Sequence, residues 1–439
     1  MKYQIKLGVV CLARKTFDFE TAHEIYRGIK NELSKRSDIG LAFIDNLIIE
    51  ADDAVSAAHT LVREEIDALV CISGTFNLGH LALELNKRIQ KPMLLMALEE
   101  LPYDGGKIRL NSVCGVNLNA SNLYKSGIKN YHVKIGNTLD EDWLDAIRVD
   151  TLLSKARVGI LGFRAHGFFN LGVYDPGIYS ELGILVDYFD PAELMGFPVP
   201  KDDSVSMREK VSSLFDLSGV SEEQVARVSD LSVKFRGFMK KNRLDALAVR
   251  CWPEFAANYG ISPCAAMSIV QSEDMITSCE GDIEGAISML AQRAAGGTTP
   301  FLFDFSQVDF KSNHALLWHC GVAPANLWDG RCKRSLDTYF AGGRGVTADF
   351  VLKEGDVSIL RFDFAPQEKR LFLLKGKGIA MDKQLKGSYL KTTFDVDVRD
   401  ILKIIVDKGI AHHASMVYGD YIEPFKIYAK MRGYEIVSP

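Results

Sequence analysis

Residues 7–14, LGVVCLAR, form a short apolar run with β-branched side chains, closed by an arginine. A run of this length with no polar face of its own reads as a strand buried on both sides, as in a parallel sheet. Outward from it, Phe19–Lys35 has helical periodicity and a polar face. Gly40–Ile49 reads as a second strand, Asp52–Glu65 as a helix and Ala68–Ser73 as a third strand. The loop SGTFNLGH (73–80) leads into another helix, and KPMLLMA (91–97) is a fourth strand. Buried strands alternating with amphipathic helices predict a doubly wound α/β domain over residues 1–150.

The pattern then restarts. ARVGILGF (156–163), Gly183–Phe189 and Leu244–Arg250 read as strands, with Ser204–Leu217 and Glu222–Lys241 as long amphipathic helices. A second α/β domain is therefore expected over residues 151–300. From about residue 300 the runs TPFLFDF, HALLWHC, DVSILRFDF and KRLFLLKGKG are strand-like, with glycine and charged turns between them. They predict a C-terminal, mainly antiparallel and barrel-like β domain over 301–439. It closes with a helix at Asp395–Lys408, a strand at Ala411–Tyr418, a helix at Tyr421–Met431 and the strand YEIV. The fold class read from the chain is α/β: two doubly wound domains followed by a β-rich one.

Bulk properties narrow the function. The net charge of −5 offers no basic excess to neutralise phosphates, which argues against nucleic acid or an anionic membrane as partner. No apolar run approaches the length that spans a bilayer, and MKYQIKLGVVCLARK reads as a first strand, not a signal peptide. A cytoplasmic protein is expected. The eight cysteines contain no C-x-x-C pair and several lie in apolar stretches, so reduced, mostly buried thiols are expected, not a structural zinc site. No Walker loop, dinucleotide fingerprint or G-x-S-x-G elbow is present.

In open α/β sheets ligands bind beyond the carboxyl ends of the strands. Arg14, Arg164 and Arg250 each follow a strand run there. Each alone can be a turn residue or a helix-capping partner; three together favour an anionic ligand group, because guanidinium forks fit phosphate, sulfonate or carboxylate. Arg164 and His166, in FRAHGFF, are the pair singled out for that contact. Asp282 suits the N-cap of a helix at Ile283–Ala294, which leaves Glu280 in a turn fixed by Gly281. Asp304 stands between Phe303 and Phe305, a costly place for a carboxylate without a partner or a cation. His319 ends HALLW, and His412 and His413 open HHASMVY. Neighbours in a strand face opposite sides, so only one of the last two is expected in a given site. Two carboxylates with one or two histidines make a mixed oxygen and nitrogen set that suits Mn²⁺, Co²⁺ or Fe²⁺ better than structural zinc.

At these residues the chain resembles the L-fucose isomerase and L-arabinose isomerase family. The resemblance is carried by PCAAMSIVQSEDMITSCEGDIEGAISML (263–290), TPFLFDFSQVD (299–309), WHCGVAP (318–324) and GIAHHASMVYGD (409–420). It is strongest over residues 240–439, and the first 240 are similar to the family's two N-terminal α/β domains in outline. It implies that Glu280 and Asp304 are metal-binding carboxylates and the catalytic pair, with His413 the late metal-binding histidine. His319 resembles the additional histidine ligand of the arabinose branch, and His412 takes the position of a polar neighbour of the sugar. The implied activity is aldose–ketose isomerisation of an open-chain sugar through an enediolate, with Mn²⁺ (or Co²⁺, Fe²⁺ or Mg²⁺) as cofactor. The implied assembly is a trimer or hexamer with the active site between subunits, to which the loop 73–80 is a candidate contributor. The strand-end arginines point within that family to a phosphorylated or sulfonated sugar such as sulfoquinovose. A non-catalytic sugar-binding protein, or another enediolate enzyme such as an aldolase or epimerase, is the competing reading.

Overall fold

The computed structural model describes residues 2–340 and 343–439, and these group into two compact units. The smaller comprises Lys2–Thr151 and Glu423–Tyr434. Its sheet contains β1 (Lys6–Leu12), β2 (Gly40–Phe43), β3 (Ala68–Ser73), β4 (Met93–Ala97) and β5 (Tyr131–Ile135), all parallel, in the order β2-β1-β3-β4-β5. β1 and β3 are buried along almost their whole length, as their unbroken apolar sequences require. The second strand is shorter than its sequence suggests. It leaves the sheet after Phe43, and Ile48 returns only for a single bridge to Leu12. β5 escapes a reading based on apolar runs because it is a half-exposed edge strand. The helix Ile422–Arg432 returns late in the chain to this unit, where Arg432 pairs with Asp150.

The larger unit comprises Leu152–Ile422 and Glu435–Pro439. Its first sheet contains β6 (Arg157–Leu161), β7 (Leu185–Phe189), β8 (Ala246–Val249) and β9 (Ile276–Ser278), all parallel, in the order β7-β6-β8-β9. The remaining strands are β10 (Phe301–Asp309), β11 (His314–His319), β12 (Ser335–Phe340), β13 (Gly345–Val351), β14 (Gly355–Ala365), β15 (Glu368–Ile379), β16 (Ser388–Thr393), β17 (His413–Tyr418) and β18 (Glu435–Val437). They run in the order β12-β13-β16-β11-β10-β17-β14-β15-β18, and an added pairing of β15 with β16 closes six of them into a ring. Every pairing within that ring is antiparallel, so the barrel expected from the sequence is present.

A buried helix lies between the two sheets of this unit. Ile283–Ala294 is buried on nearly every side. It packs against β8 and β9 on one side and against β14 and β17 of the barrel on the other. A helix between two sheets needs apolar or internally satisfied residues all round. Its polar members meet that need: Gln292 donates to the carbonyls of Ser358 (2.9 Å) and Ser415 (3.1 Å), and the Ser288 hydroxyl accepts from the Phe362 amide (2.8 Å).

The chain enters this helix through a strained turn. Glu280 has φ +62° and Gly281 φ +72°. A Cβ on Gly281 would lie 2.4 Å from the Phe163 carbonyl oxygen and 2.8 Å from the Arg164 Cα, so no side chain fits. Gly281→Ala is therefore expected to destabilise the protein by about 1–3 kcal/mol. A thermal midpoint equal to that of the wild type would show that the turn tolerates a Cβ and does not pin this segment.

Candidate functional site

Three elements of the larger unit deliver the site. The turn after β9 brings Glu280 and Asp282; β10 brings Asp304; the start of β17 brings His412 and His413. In the antiparallel pairing of β10 with β17, Asp304 stands directly opposite His413, which places both on one face of the barrel wall. The flanking Phe303 and Phe305 belong to the other face, where their rings pack at 5.2 Å. This explains how a carboxylate is tolerated inside FLFDF. His413 Nε2 lies 3.4 Å from a Glu280 oxygen and 3.6 Å from an Asp304 oxygen.

The two adjacent histidines do not divide between faces as strand alternation predicts. β17 begins only at His413, so His412 lies outside the ladder and the period of two does not apply to it. Its Nε2 is 3.3 Å from the same Glu280 oxygen, and the two imidazoles lie 4.2 Å apart. His319, the last residue of β11, brings its ring within 5.5 Å of His413 in a stacked arrangement. Ligand atoms of Glu280, His412 and His413 fall within 4.8 Å of one another, and so do those of Asp304, His319 and His413.

Hydrogen bonds fix the tautomers. His413 Nδ1 is 2.9 Å from Asp282 Oδ2. Burial disfavours the Asp282 carboxylate, but the Arg361 guanidinium and His413 outweigh it and hold the group far below the usual carboxylate range. An ionised carboxylate only accepts, so His413 Nδ1 carries a proton and Nε2 is the ring atom turned toward Glu280 and Asp304. His412 is the reverse. Its Nδ1 faces the Asn170 amide nitrogen (3.1 Å), leaving Nε2–H to donate to Glu280. His319 Nδ1 faces the Cys320 backbone N–H (2.9 Å) and the Cys320 sulfur (3.3 Å), and its Nε2, like that of His413, is buried with no hydrogen-bond partner among the described residues.

Behind His413 runs a buried charge network. Asp282 caps the central helix, accepting from the Gly285 amide (2.8 Å), and its other oxygen pairs with Arg361 (2.8 Å). Arg361, fully buried, also reaches Glu284 (3.2 Å) and the His413 carbonyl (3.1 Å) and lies 3.7 Å from Asp363, which Arg370 holds. Two guanidiniums thus face three carboxyls. Burial, aided by Asp363 and Asp282 and opposed by Arg361, pushes Glu284 up to about 8. At neutral pH Glu284 keeps its proton and the network is balanced in charge. Sequence reading identified Asp282 as a cap and missed the rest. The only local signal was an arginine inside the apolar run DVSILRFDF.

The residues proposed for an anionic group lie in different places. The loop after β6 carries Arg164 against the turn of Glu280, through an Ala165 N–H donated to the Glu280 carbonyl (2.9 Å). Its guanidinium lies over the rings of Phe163 (4.7 Å) and Phe169 (5.0 Å), and its Nε is buried with no hydrogen-bond partner among the described residues. His166 is exposed in the same loop. Arg250, after β8, pairs with Glu254 (2.7 Å). Arg14 ends the β1 segment in the smaller unit, where its backbone N–H donates to Thr75 (2.8 Å). In the loop 73–80, Ser73, Thr75 and Asn77 are fully buried. No helix among the described residues is long and apolar enough to cross a membrane.

Comparison with known proteins gives a consistent set of relatives. Residues 8–148 match the family model described as the fucose/sulfoquinovose isomerase N-terminal domain. A sulfoquinovose isomerase of Priestia aryabhattai is 28% identical over 424 residues, covering 94% of each chain. One of Alkalicoccus urumqiensis is 25% identical and covers 97% of this chain and 98% of its own. One of a Clostridium species (strain MSTE9) is 24% identical over 79% of this chain and 80% of its own. Among solved structures, a solute-binding protein of Burkholderia multivorans covers 67% of this chain at 12% identity and a TM-score of 0.18, too low to bear on fold or function.

The balance at Glu284 has a measurable consequence. The unfolded carboxyl ionises near 4.5 and the folded one near 8. Between those values the folded state binds more protons than the unfolded, so this group's contribution to stability is lost as pH rises. Glu284→Gln cannot ionise. Its melting temperature relative to wild type should therefore rise steadily from pH 5 to pH 8. A pH-independent difference would show that Glu284 is already ionised in the native core.

Proposed function

We propose that the chain, like the relatives it is similar to, is a fucose isomerase-like enzyme that carries out metal-dependent interconversion of an aldose and its ketose, with a 6-sulfonated hexose of the sulfoquinovose type as substrate. One observation carries the metal reading. The His413 Nε2 lone pair faces two carboxylate oxygens at 3.4 and 3.6 Å, and no hydrogen-bond donor reaches that nitrogen among the described residues. Three acceptors turned toward one another repel unless a cation lies among them. Ligand bonds of ~2.1 Å put two donors on one ion about 3.0–4.2 Å apart, and both distances fall in that range. Mixed carboxylate and imidazole ligation fits Mn²⁺, with Co²⁺, Fe²⁺ and Mg²⁺ as alternatives.

On this reading Glu280, Asp304 and His413 hold the ion. His319, whose ligand atom lies within 4.8 Å of those of Asp304 and His413, is the fourth candidate ligand. A divalent ion held by these residues would supply polarisation of the sugar carbonyl, a charge stabilisation worth several kcal/mol. The protein must still move two protons, one between C1 and C2 and one between their oxygens. Glu280 and Asp304 are the carboxylates available, one for each transfer. His412 donates to Glu280 (3.3 Å) and steadies that carboxylate as its charge changes. Asp282, bonded to Nδ1, keeps Nε2 of His413 turned toward the Glu280 and Asp304 oxygens, where an ion would be held. The Arg164 guanidinium, with an unpaired Nε beside two aromatic rings, is assigned the sulfonate. Arg250, held by Glu254, is a weaker candidate for that contact, and Arg14 and His166 are retained as further contacts. A cytoplasmic location and a trimeric or hexameric assembly with shared active sites complete the proposal.

Glu280→Gln and Asp304→Asn should each lower kcat at least 10³-fold while circular dichroism and melting stay near wild type. EDTA should abolish turnover and Mn²⁺ restore it. Full activity in either variant, or in chelator, removes the mechanism. Asp282→Asn keeps the helix cap but loosens the His413 tautomer, so Mn²⁺ affinity by calorimetry should weaken about 10–100-fold; unchanged affinity would make Asp282 purely structural. Arg164→Ala should raise KM for sulfoquinovose at least tenfold and leave KM for a neutral aldose unchanged. An equal effect on both sugars removes the sulfonate contact.

A further inference from the structure

Four cysteines that are far apart in the chain meet beside the site. Cys251 follows β8, Cys264 opens the helix Cys264–Gln271, Cys279 follows β9 and Cys320 follows β11. All four are buried and reduced. Cys264 and Cys320 lie 3.9 Å apart at their sulfurs, and Cys251 and Cys279 only 3.1 Å apart. The short pair results from strand pairing: β8 and β9 are parallel neighbours in register from Ala246↔Ile276 to Ala248↔Ser278, and both cysteines lie just past their carboxyl ends. Cys279 is the residue immediately before Glu280, in the positive-φ turn.

We infer that Cys251 and Cys279 are an oxidisable dithiol, a modification site whose disulfide displaces the Glu280 carboxylate from its place beside His413. A disulfide needs sulfurs ~2.05 Å apart, so closing the pair draws them together by about 1 Å. The turn carrying Glu280 has no slack to absorb that shift. Gly281 is wedged against Phe163, its N–H donates to the Val249 carbonyl (3.0 Å), and the Glu280 carbonyl is tied to the Ala165 amide. The co-reactant is a peroxide, small enough for a nearly closed site. Within the pair Cys251 is 5% exposed and Cys279 fully buried, so of these two the peroxide meets Cys251 first. One peroxide oxygen adds to the Cys251 sulfur, giving a sulfenic acid and one water; the Cys279 sulfur then displaces the hydroxyl, forming the S–S bond and a second water. Two thiols lose two electrons and two hydrogens, and the peroxide is reduced to two waters. A dithiol reductant such as dithiothreitol reverses the change by exchange.

The disulfide does not depend on the proposed isomerase function, whereas the loss of cation binding rests on it, so the two are read separately. Full-length protein is treated with hydrogen peroxide, alkylated, digested without reductant and mapped by mass spectrometry, and Mn²⁺ binding is measured by calorimetry before and after. The expected result is a Cys251–Cys279 cross-linked peptide lighter by two hydrogens, with Mn²⁺ affinity weakened at least tenfold and both effects reversed by dithiothreitol. Cys251→Ser, and Cys251→Ala as a second variant, should bind Mn²⁺ normally, form no cross-link and keep their affinity through peroxide treatment. Absence of the cross-link under conditions that oxidise the exposed Cys114 overturns the proposal, as does a cross-link that leaves Mn²⁺ affinity unchanged. Failure of untreated protein to bind Mn²⁺ would instead remove the metal reading and leave the cross-link to decide this one.

Discussion

The site depends on the carboxylate of Asp282. One oxygen caps the central helix; the other accepts from the His413 ring and pairs with Arg361. A single buried anion thereby ties the start of a helix, the start of a barrel strand and a cation from a second strand to one point. Each partner satisfies a need of the others. The helix has orphan N–H groups, the imidazole needs a fixed tautomer, and the guanidinium needs a counter-charge because it is fully buried. Remove the charge and all three needs reopen together.

Burying so many ionisable groups is tolerable only because the network is complete. Arg361 and Arg370 are matched by Asp282 and Asp363, and the fifth member, Glu284, retains a proton at neutral pH. The interior is therefore polar but close to neutral, which limits the desolvation cost of isolated charges. On the other side, the His413 Nε2 faces oxygens of Glu280 (3.4 Å) and Asp304 (3.6 Å). A closed network behind holds the imidazole in place, and carboxylate and imidazole donors converge in front, the donor set on which the proposed divalent ion rests.

The geometry around Glu280 is correspondingly rigid. Its carbonyl, the N–H of the next residue and the close approach of Gly281 to Phe163 fix the turn from three directions. That rigidity suits the part of ligand and proton carrier proposed for this carboxylate, since a preorganised group needs no rearrangement as charge develops. It also makes the site sensitive to whatever happens one residue earlier, at the cysteine whose sulfur lies 3.1 Å from that of Cys251. The Arg164 loop, joined to the same turn, couples the proposed anion contact to the same frame.

Much of the architecture was legible along the chain because it is written in local periodicity. Apolar runs such as LGVVCLAR and ARVGILGF can be little else than buried parallel strands, and the change of texture after residue 300 marks the barrel. β5 and β9 were missed because one is a half-exposed edge and the other has three residues. The chemistry of Glu280, Asp304 and His413 was suggested by motif resemblance, and Asp282 was legible only as a cap. What no stretch of sequence contains is the cross-strand register that sets Asp304 opposite His413, the strand start that frees His412, or the meeting of Arg361 with Asp282. Periodicity and caps act over a few residues and are fixed by the chain itself. The pairing of groups 79 to 131 residues apart, the ring orientations it dictates and the convergence of four scattered cysteines are set by how strands register and helices pack, and only the folded chain decides them.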